Sequence, residues 1–264
     1  MRKNPYLTAG VVIIGLMSLA AIFAPLLSPY DPSVIDHANL LSSPSASHVM
    51  GTDSLGRDLL SRMIYGARIS LSIGLIAVGI SVILGILLGA LAGFYGGWVD
   101  TLIMRFADIM LCFPTFFLIL AVVALTEPSI FNIMAIIGLT GWMGAARLVR
   151  GEILSLKERE FIQAEQSLGA SHARIIGLHL VPNAMGPVMV HATLGIASAI
   201  LLESGLSFLG LGVQPPVPSW GNILIESKST LGIAWWITLY PGLAILLTIL
   251  GFNFLSEGLK KKLG

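Results

Sequence analysis

Ionisable side chains that could do chemistry are few in this chain, and several fall inside strongly apolar runs. Asp108 follows Arg105 by three residues in one run, while His191 and Glu203 share a later run. A charge at membrane depth is costly and usually faces a bundle interior or an aqueous path. We interpret Asp108 as a structural hydrogen-bonding group and His191 and Glu203 as candidates to line a translocation path. For His191, packing between helices is the favoured alternative.

The spacing of His191 and Glu203 limits what they could bind together. Twelve residues correspond to about 3.3 helical turns, which puts the two side chains roughly 120° apart. One imidazole and one distant carboxylate cannot complete a metal coordination shell. The pattern therefore predicts no metal site. Cys112 is the single cysteine, which excludes a disulfide framework, and we interpret it as a small buried residue.

Catalytic signatures are absent from the sequence. There is no G-x-x-x-x-G-K-[ST] loop to hold ATP, and neither H-E-x-x-H nor G-x-S-x-G occurs. The serines that follow Glu203 have no partnered base nearby in the sequence. The chain is therefore predicted not to be an enzyme, so any nucleotide-driven work would need a separate ATPase subunit.

The elements that position these residues are long apolar helices. The chain is 55% hydrophobic and 11% charged, against about 25% charged residues in soluble domains. Its mean hydropathy is +0.88, and its net charge of +1 argues against nucleic acid as a partner. A spanning helix needs about 20 apolar residues. We predict an all-α polytopic protein of the cell membrane with six spans: residues 7–27, 69–94, 102–125, 131–148, 184–211 and 233–255.

A markedly polar segment, residues 155–183, lies between two of these spans. Ser155 and Glu158 fit a capping box at a helix start. An apolar stripe at helical spacing follows: Phe161, Ala164 and Leu168. Such an amphipathic helix, exposed by a membrane protein, favours docking to a soluble partner.

A second short helix is predicted after Gly169. This glycine suits the left-handed turn that ends a helix. Ser171 can cap the next helix, which carries Ile175 and Leu178 and is expected to end at Pro182.

Lysine and arginine residues are unevenly divided between the predicted loops. With the N-terminus inside, the cytoplasmic side holds Arg2, Lys3, Arg105, Arg147, Arg150, Lys157, Arg159, Arg174, Lys260, Lys261 and Lys262. The outer side holds Arg57, Arg62, Arg68 and Lys228. This imbalance fits the positive-inside rule, so both termini and residues 155–183 are predicted to be cytoplasmic.

The outer segment between residues 28 and 68 ends in a patterned stretch. GTDSLGRDLLSRMIYGARISL, from position 51, shows an apolar stripe, with Asp58 and Arg62 paired on the wet face. We predict an amphipathic helix at the outer interface, which serves either to dock a partner or as an ordered elbow. The domain prediction is residues 1–68 for the first span, outer loop and interfacial helix, and residues 69–264 for a five-helix core.

Small residues predict close helix packing in the second span. Gly85, Gly89, Gly93 and Gly97 recur every four residues, which lets a neighbouring helix approach closely. The repeat carries no chemistry.

Two sets of motifs resemble the permease subunits of ABC importers. QAEQSLG, followed by nine residues and HLVP, is similar to their "EAA" loop, with Ala164, Gly169 and Pro182 at matching positions. The departures from that pattern are Gln163, Glu165, His179 and Val181. GTDSLGRDLLSR, Asp108 with Pro114, and LSFLGLGVQPPVPSWG resemble the dipeptide, oligopeptide and nickel branch, in the C-type member of its permease pair.

The resemblance implies a subunit that forms half of a translocation pathway by alternating access. Its implied partners are a homologous second permease, two cytoplasmic ATPases, an extracytoplasmic solute-binding protein and membrane lipid. ATP and Mg would be held by the ATPases, with no cofactor on this chain. The coupling loop, residues 151–183, would contact an ATPase through Phe161, Ala164, Glu165, Leu168, Gly169 and Pro182.

Other function classes fit the residues less well. A secondary transporter would need matching broken helices and inverted repeats, and an intramembrane enzyme would need a nucleophile paired with a base. Neither pattern is visible in the sequence. For the cargo, small peptides are favoured because the predicted path lacks tight ligands, and nickel or a metal chelate is the alternative.

Overall fold

The computed structural model describes residues 4–127 and 129–263, so Arg2 and Lys3 lie outside the described residues. Apart from one isolated bridge between Thr52 and Asp58, the regular structure of this part of the chain is helical. The helices are α1 (Pro5–Ile22), α2 (Ala24–Leu27), α3 (Leu59–Tyr95), α4 (Gly97–Leu111), α5 (Thr115–Ala124), α6 (Ile130–Leu139), α7 (Trp142–Lys157), α8 (Glu160–Ser167), α9 (His172–Arg174), a π-helical segment (Ile175–Leu180), α10 (Val181–Phe208), α11 (Trp220–Thr230) and α12 (Trp236–Leu263). The all-α prediction is confirmed.

Within the described residues, five helical segments are long and apolar enough to cross a membrane, and a bent pair of helices would make a sixth. The bent pair is α4 with α5, which meet at 83°. Pro114 accounts for the break, because it lacks an N–H and disfavours helical geometry at Phe113. The predicted third span, residues 102–125, is therefore two helices that meet at a sharp bend and not one continuous helix. Cys112 lies at this break and is exposed, so the prediction of a buried cysteine is wrong.

Helix α3 is longer than the predicted second span, because it also includes residues of the predicted interfacial helix. It runs without interruption for 37 residues from Leu59, so the proposed boundary at residue 68 falls inside it. Asp58 caps this helix by accepting a hydrogen bond from the Ser61 amide at 2.8 Å. Arg62 is buried, with 2% of its surface exposed, and pairs with residues other than Asp58. The predicted Asp58–Arg62 pair on a wet face is therefore wrong.

A buried set of charges connects the segment between α2 and α3, which is the predicted outer loop, to the helices. The Asp53 carboxylate accepts from Arg57 Nε at 2.6 Å and from Arg62 Nη1. Glu226 of α11 accepts from the same two arginines, at 2.9 Å from Arg57 Nη2 and 3.0 Å from Arg62 Nη1. Two arginine side chains thus contact two carboxylates, and their attraction offsets the free-energy cost of removing these charges from water. This outer charge network joins the loop, α3 and α11.

Close packing of α3 against α7 follows the glycine repeat. A Cβ on Gly89 would lie 2.5 Å from the Ala146 carbonyl oxygen, and one on Gly93 3.0 Å from that of Arg150. Gly85 meets Ala145 in the same way. Gly97 does not belong to this contact, because it begins α4 with open space around it. The repeat therefore predicted three of the four contacts.

The two ends of the bundle carry different elements. Asn4, at the start of α1, donates to the Gly258 carbonyl of α12 at 3.0 Å, so the two termini of the described chain lie together. Pro182 and Lys260 line one cavity, which places the start of α10 at the same end. The outer charge network occupies the opposite end.

Candidate coupling loop and translocation groove

Helix α8 ends in the left-handed turn that the sequence predicted. Gly169 has a φ of +78°. The Ala170 amide donates to the Glu165 carbonyl at 3.1 Å and the Gly169 amide to that of Gln166 at 3.0 Å, which is the Schellman arrangement. The turn therefore needs a residue that accepts positive φ.

The start of α8 differs from the prediction. Ser155 lies inside α7, which continues to Lys157, and Arg159 precedes α8 without a side-chain cap. The predicted capping box is wrong. The physical reason is packing: Ile153 and Leu156 belong to an apolar cluster with α3, and this contact extends α7 past Ser155.

Helix α8 has one outward and one inward face. Phe161 and Leu168 are 44% and 84% exposed, and Ala164 is exposed beside them. Ile162 is fully buried in the opposite direction. It packs in a cluster that includes residues from α3, α7 and α10: Phe94, Val149, Ile153 and Val188. The outward face is open to a partner, while Ile162 on the inward face belongs to an apolar cluster that also contains residues of three bundle helices.

The second arm of the coupling loop continues directly into α10. Ser171 caps it, as predicted, by accepting from the Arg174 amide at 3.4 Å. Pro182 does not end the helix, contrary to the prediction, and lies in the first turn of α10. The π-helical turn before it has a wider hydrogen-bond spacing, so a residue without an N–H can follow without a break. Leu178 is exposed while Ile175 is buried, so these two residues do not share one buried face.

Glu165 links the two arms of the coupling loop. Its carboxylate lies 3.5 Å from His179 Nε2 and 4.0 Å from Arg174 Nε. The side chain is only 27% exposed. This position between the arms suits a residue that sets their relative angle.

Two cavities lie along α10, and together they form a groove. The one nearer the coupling loop, called the inner cavity, has a volume of about 1010 Å³ and is lined by Leu148 of α7 and by residues of α10 and α12, including Asn183, Asn253 and Lys260. The outer one, of about 400 Å³, is lined by α3, α5, α10 and the α6–α7 turn. His191 and Leu194 line both cavities. The candidate pathway residue His191 therefore sits where the two cavities adjoin.

Glu203 occupies a different setting from His191. It is fully buried and lines neither of these two cavities. Its Oε1 accepts from Ser207 Oγ at 2.7 Å and from Ser219 Oγ at 2.9 Å. Ser219 is the N-cap of α11. The carboxylate thus holds the end of α10 to the beginning of α11.

Comparison with known protein families identifies the family of this chain. Residues 85–264, which contain the coupling loop and most of the groove, match the model described as "Binding-protein-dependent transport system inner membrane component". The chain belongs to this family. Residues 1–44 match the N-terminal TM domain of oligopeptide transport permease C. The resemblance to the C-type permease of ABC importers is confirmed, and the protein is a multi-pass inner membrane component.

Curated relatives of this permease align along nearly its whole length. The dipeptide transport system permease protein of Alkalihalophilus pseudofirmus is 44% identical over 100% of this chain and 86% of the relative. The oligopeptide transport system permease protein of Bacillus subtilis is 40% identical, over 99% of this chain and 86% of its own. A glutathione transport system permease protein of Escherichia coli is 43% identical over the same shares.

Several residues of the permease site escaped the sequence reasoning. Ile162 is one, although its position about 100° from Phe161 on the helix marks it as part of a second face. Asp108 bonds to Arg147 of α7 at 2.5 Å rather than to Arg105, and Asp100 holds Arg150 through two bonds of 2.5 Å. These pairs join α4 to α7, so Asp108 is a structural hydrogen-bonding group, as its sequence context predicted.

Proposed function

We propose that this permease forms half of the pathway of an ATP-driven importer for small peptides. The observation that carries the proposal is the continuity of one helical segment, His172–Phe208, which begins in the coupling loop and lines both cavities with its middle part. The names of the relatives favour peptides, since they are permeases for dipeptides, oligopeptides and glutathione. Nothing in these comparisons supports nickel, which we do not propose.

The coupling loop gives the proposal its mechanical part. A cytoplasmic ATPase binds the outward face of α8, at Phe161, Ala164 and Leu168. Its movement on ATP binding pushes α8, and the push passes from Ile162 through the apolar cluster that it shares with residues of α3, α7 and α10. Gly169 and Glu165 keep the two arms at a fixed angle, and Pro182 lies where the loop enters α10. ATP and Mg belong to the ATPase subunits, with no cofactor on this chain.

The remaining partners follow from the groove and the outer loop. A homologous second permease supplies the other half of the pathway, a second ATPase binds its coupling loop, and a solute-binding protein delivers peptide from outside. His191 lines this chain's half of the path. Glu203 acts from a distance, because it fixes α11 to α10 and does not touch cargo.

The proposed orientation can be tested with single cysteines. In a Cys112→Ser background, Ser45→Cys in the outer loop and Ser171→Cys in the coupling loop are both at exposed positions. We expect an impermeant thiol reagent to label only Ser45→Cys in intact cells, and both variants after the membrane is permeabilised. Labelling of both or of neither in intact cells would show that the assigned sides are wrong.

Uptake measurements test the function itself. In cells that carry the complete transport system, deletion of this chain should abolish uptake of labelled dialanine, and re-expression should restore it. Depletion of ATP should stop uptake in the complemented cells. Unchanged dialanine uptake in the deletion strain, or loss of nickel uptake alone, would refute the peptide proposal.

A further inference from the structure

We propose that His191, seated against Gly144, sets the size limit of cargo that can pass this permease. The inference rests on the proposed function, since it takes the groove along α10 as part of the pathway. His191 and Leu194 are the lining residues that the two cavities share, so the passage from one cavity to the other runs past these side chains.

The wall opposite His191 is the surface of α7 at Gly144, where the missing side chain leaves a notch. Gly141 ends the α6–α7 turn and lines the outer cavity, while Leu148 of α7 lines the inner one. Gly144 lies between them on the same helix face, at i+3 from Gly141 and i−4 from Leu148. A Cβ on Gly144 would lie 3.1 Å from His191 Cε1 and 3.5 Å from Nε2, with no other group within 4 Å. The imidazole alone fills the space in front of the notch.

The residues that line the outer cavity favour selection of peptides by their size. Its polar lining side chains are the hydroxyls of Ser81, Thr115 and Ser198, and His191 is its one ionisable residue among those that the structure describes. An imidazole nitrogen can donate to or accept from a peptide group, which every peptide offers. Such contacts do not distinguish one peptide side chain from another. What the ring does restrict is the width of the passage.

The test compares a small and a larger peptide in the complete transporter. Dialanine and diphenylalanine are suitable, since they have the same length and differ in the width of their side chains. We expect His191→Ala to keep dialanine uptake within about threefold of the wild type while raising the diphenylalanine to dialanine ratio about tenfold, the scale on which pocket size discriminates. His191→Phe keeps a planar ring of similar bulk and should preserve the wild-type ratio.

A second set of variants tests the notch. Gly144→Val displaces the imidazole into the passage and should lower uptake of both peptides about tenfold. Adding His191→Ala should restore uptake, because the imidazole is the group that the new Cβ meets. Gly15→Val in α1, a helix that lines neither cavity, is the control, since a Cβ there also meets nothing within 4 Å. It should behave as the wild type.

The outcomes separate the size limit from the pathway proposal. An unchanged uptake ratio of the two peptides in His191→Ala would mean that this histidine only packs between helices. Uptake by Gly144→Val that equals uptake by Gly15→Val, or that the added His191→Ala does not restore, would refute the notch. In each of these cases wild-type dialanine uptake would persist, whereas failure of the proposed function would remove uptake from the wild type as well.

Discussion

Replacement of Gly169 by valine is expected to uncouple ATP hydrolysis from uptake. The φ of +78° at this position costs a β-branched residue about 1–2 kcal/mol, which is enough to move the turn out of the left-handed region. The α8 face that carries Phe161 and Leu168 would then change its direction relative to α10. We expect uptake to fall to a small fraction of the wild type while the permease still inserts and the ATPases still assemble on it.

Two variants make this experiment specific to the backbone. Gly169→Asn should retain most of the uptake, since asparagine adopts the left-handed region more readily than other residues with a side chain. Gly177→Val adds the same side chain to the second arm, where the glycine has no positive φ and a Cβ meets nothing within 4 Å. It should transport normally. Full uptake by Gly169→Val, with normal transport-linked ATPase activity, would mean that this loop does not couple the two processes.

Loss of Arg62 should have the largest effect on stability. Arg62→Met leaves Asp53 fully buried with one of its two cations removed, and breaking a buried ion pair in this way costs about 3–5 kcal/mol. We expect a lower unfolding temperature in detergent and earlier proteolytic cleavage of the outer loop, residues 28–58. The effect should be concentrated at this end of the molecule, because the coupling loop lies at the other.

The matched control is Arg68→Met, six residues further along α3 at an exposed position. It removes the same charge from the same helix and should leave the unfolding temperature nearly unchanged. The double variant Asp53→Asn with Arg62→Met removes one charge of each sign and should recover part of the lost stability. Equal unfolding temperatures for Arg62→Met and Arg68→Met would contradict the assigned role of the outer charge network.

Features that depend on neighbouring residues were predictable from the sequence. The length of the apolar runs gave the all-α class and the approximate spans, because a membrane-crossing helix satisfies its own backbone hydrogen bonds. The left-handed turn at Gly169 and the exposed stripe of α8 also followed from local spacing. The same local reasoning failed at Ser155 and Pro182, where packing against α3 and a π-helical turn continue helices that sequence signals would end.

The sequence by itself thus determined the class of the protein, the amphipathic helix α8 in the polar segment and the glycine on which the turn after it depends. Only the tertiary structure decided which charges pair, and it joined Arg62 to Glu226 across 164 residues and Asp108 to Arg147 across 39. It also placed His191 in the groove and Glu203 outside it, although both residues belong to α10. The reason is physical: local spacing fixes the face of a helix on which a side chain lies, but the helix that covers that face is set by packing between distant parts of the chain.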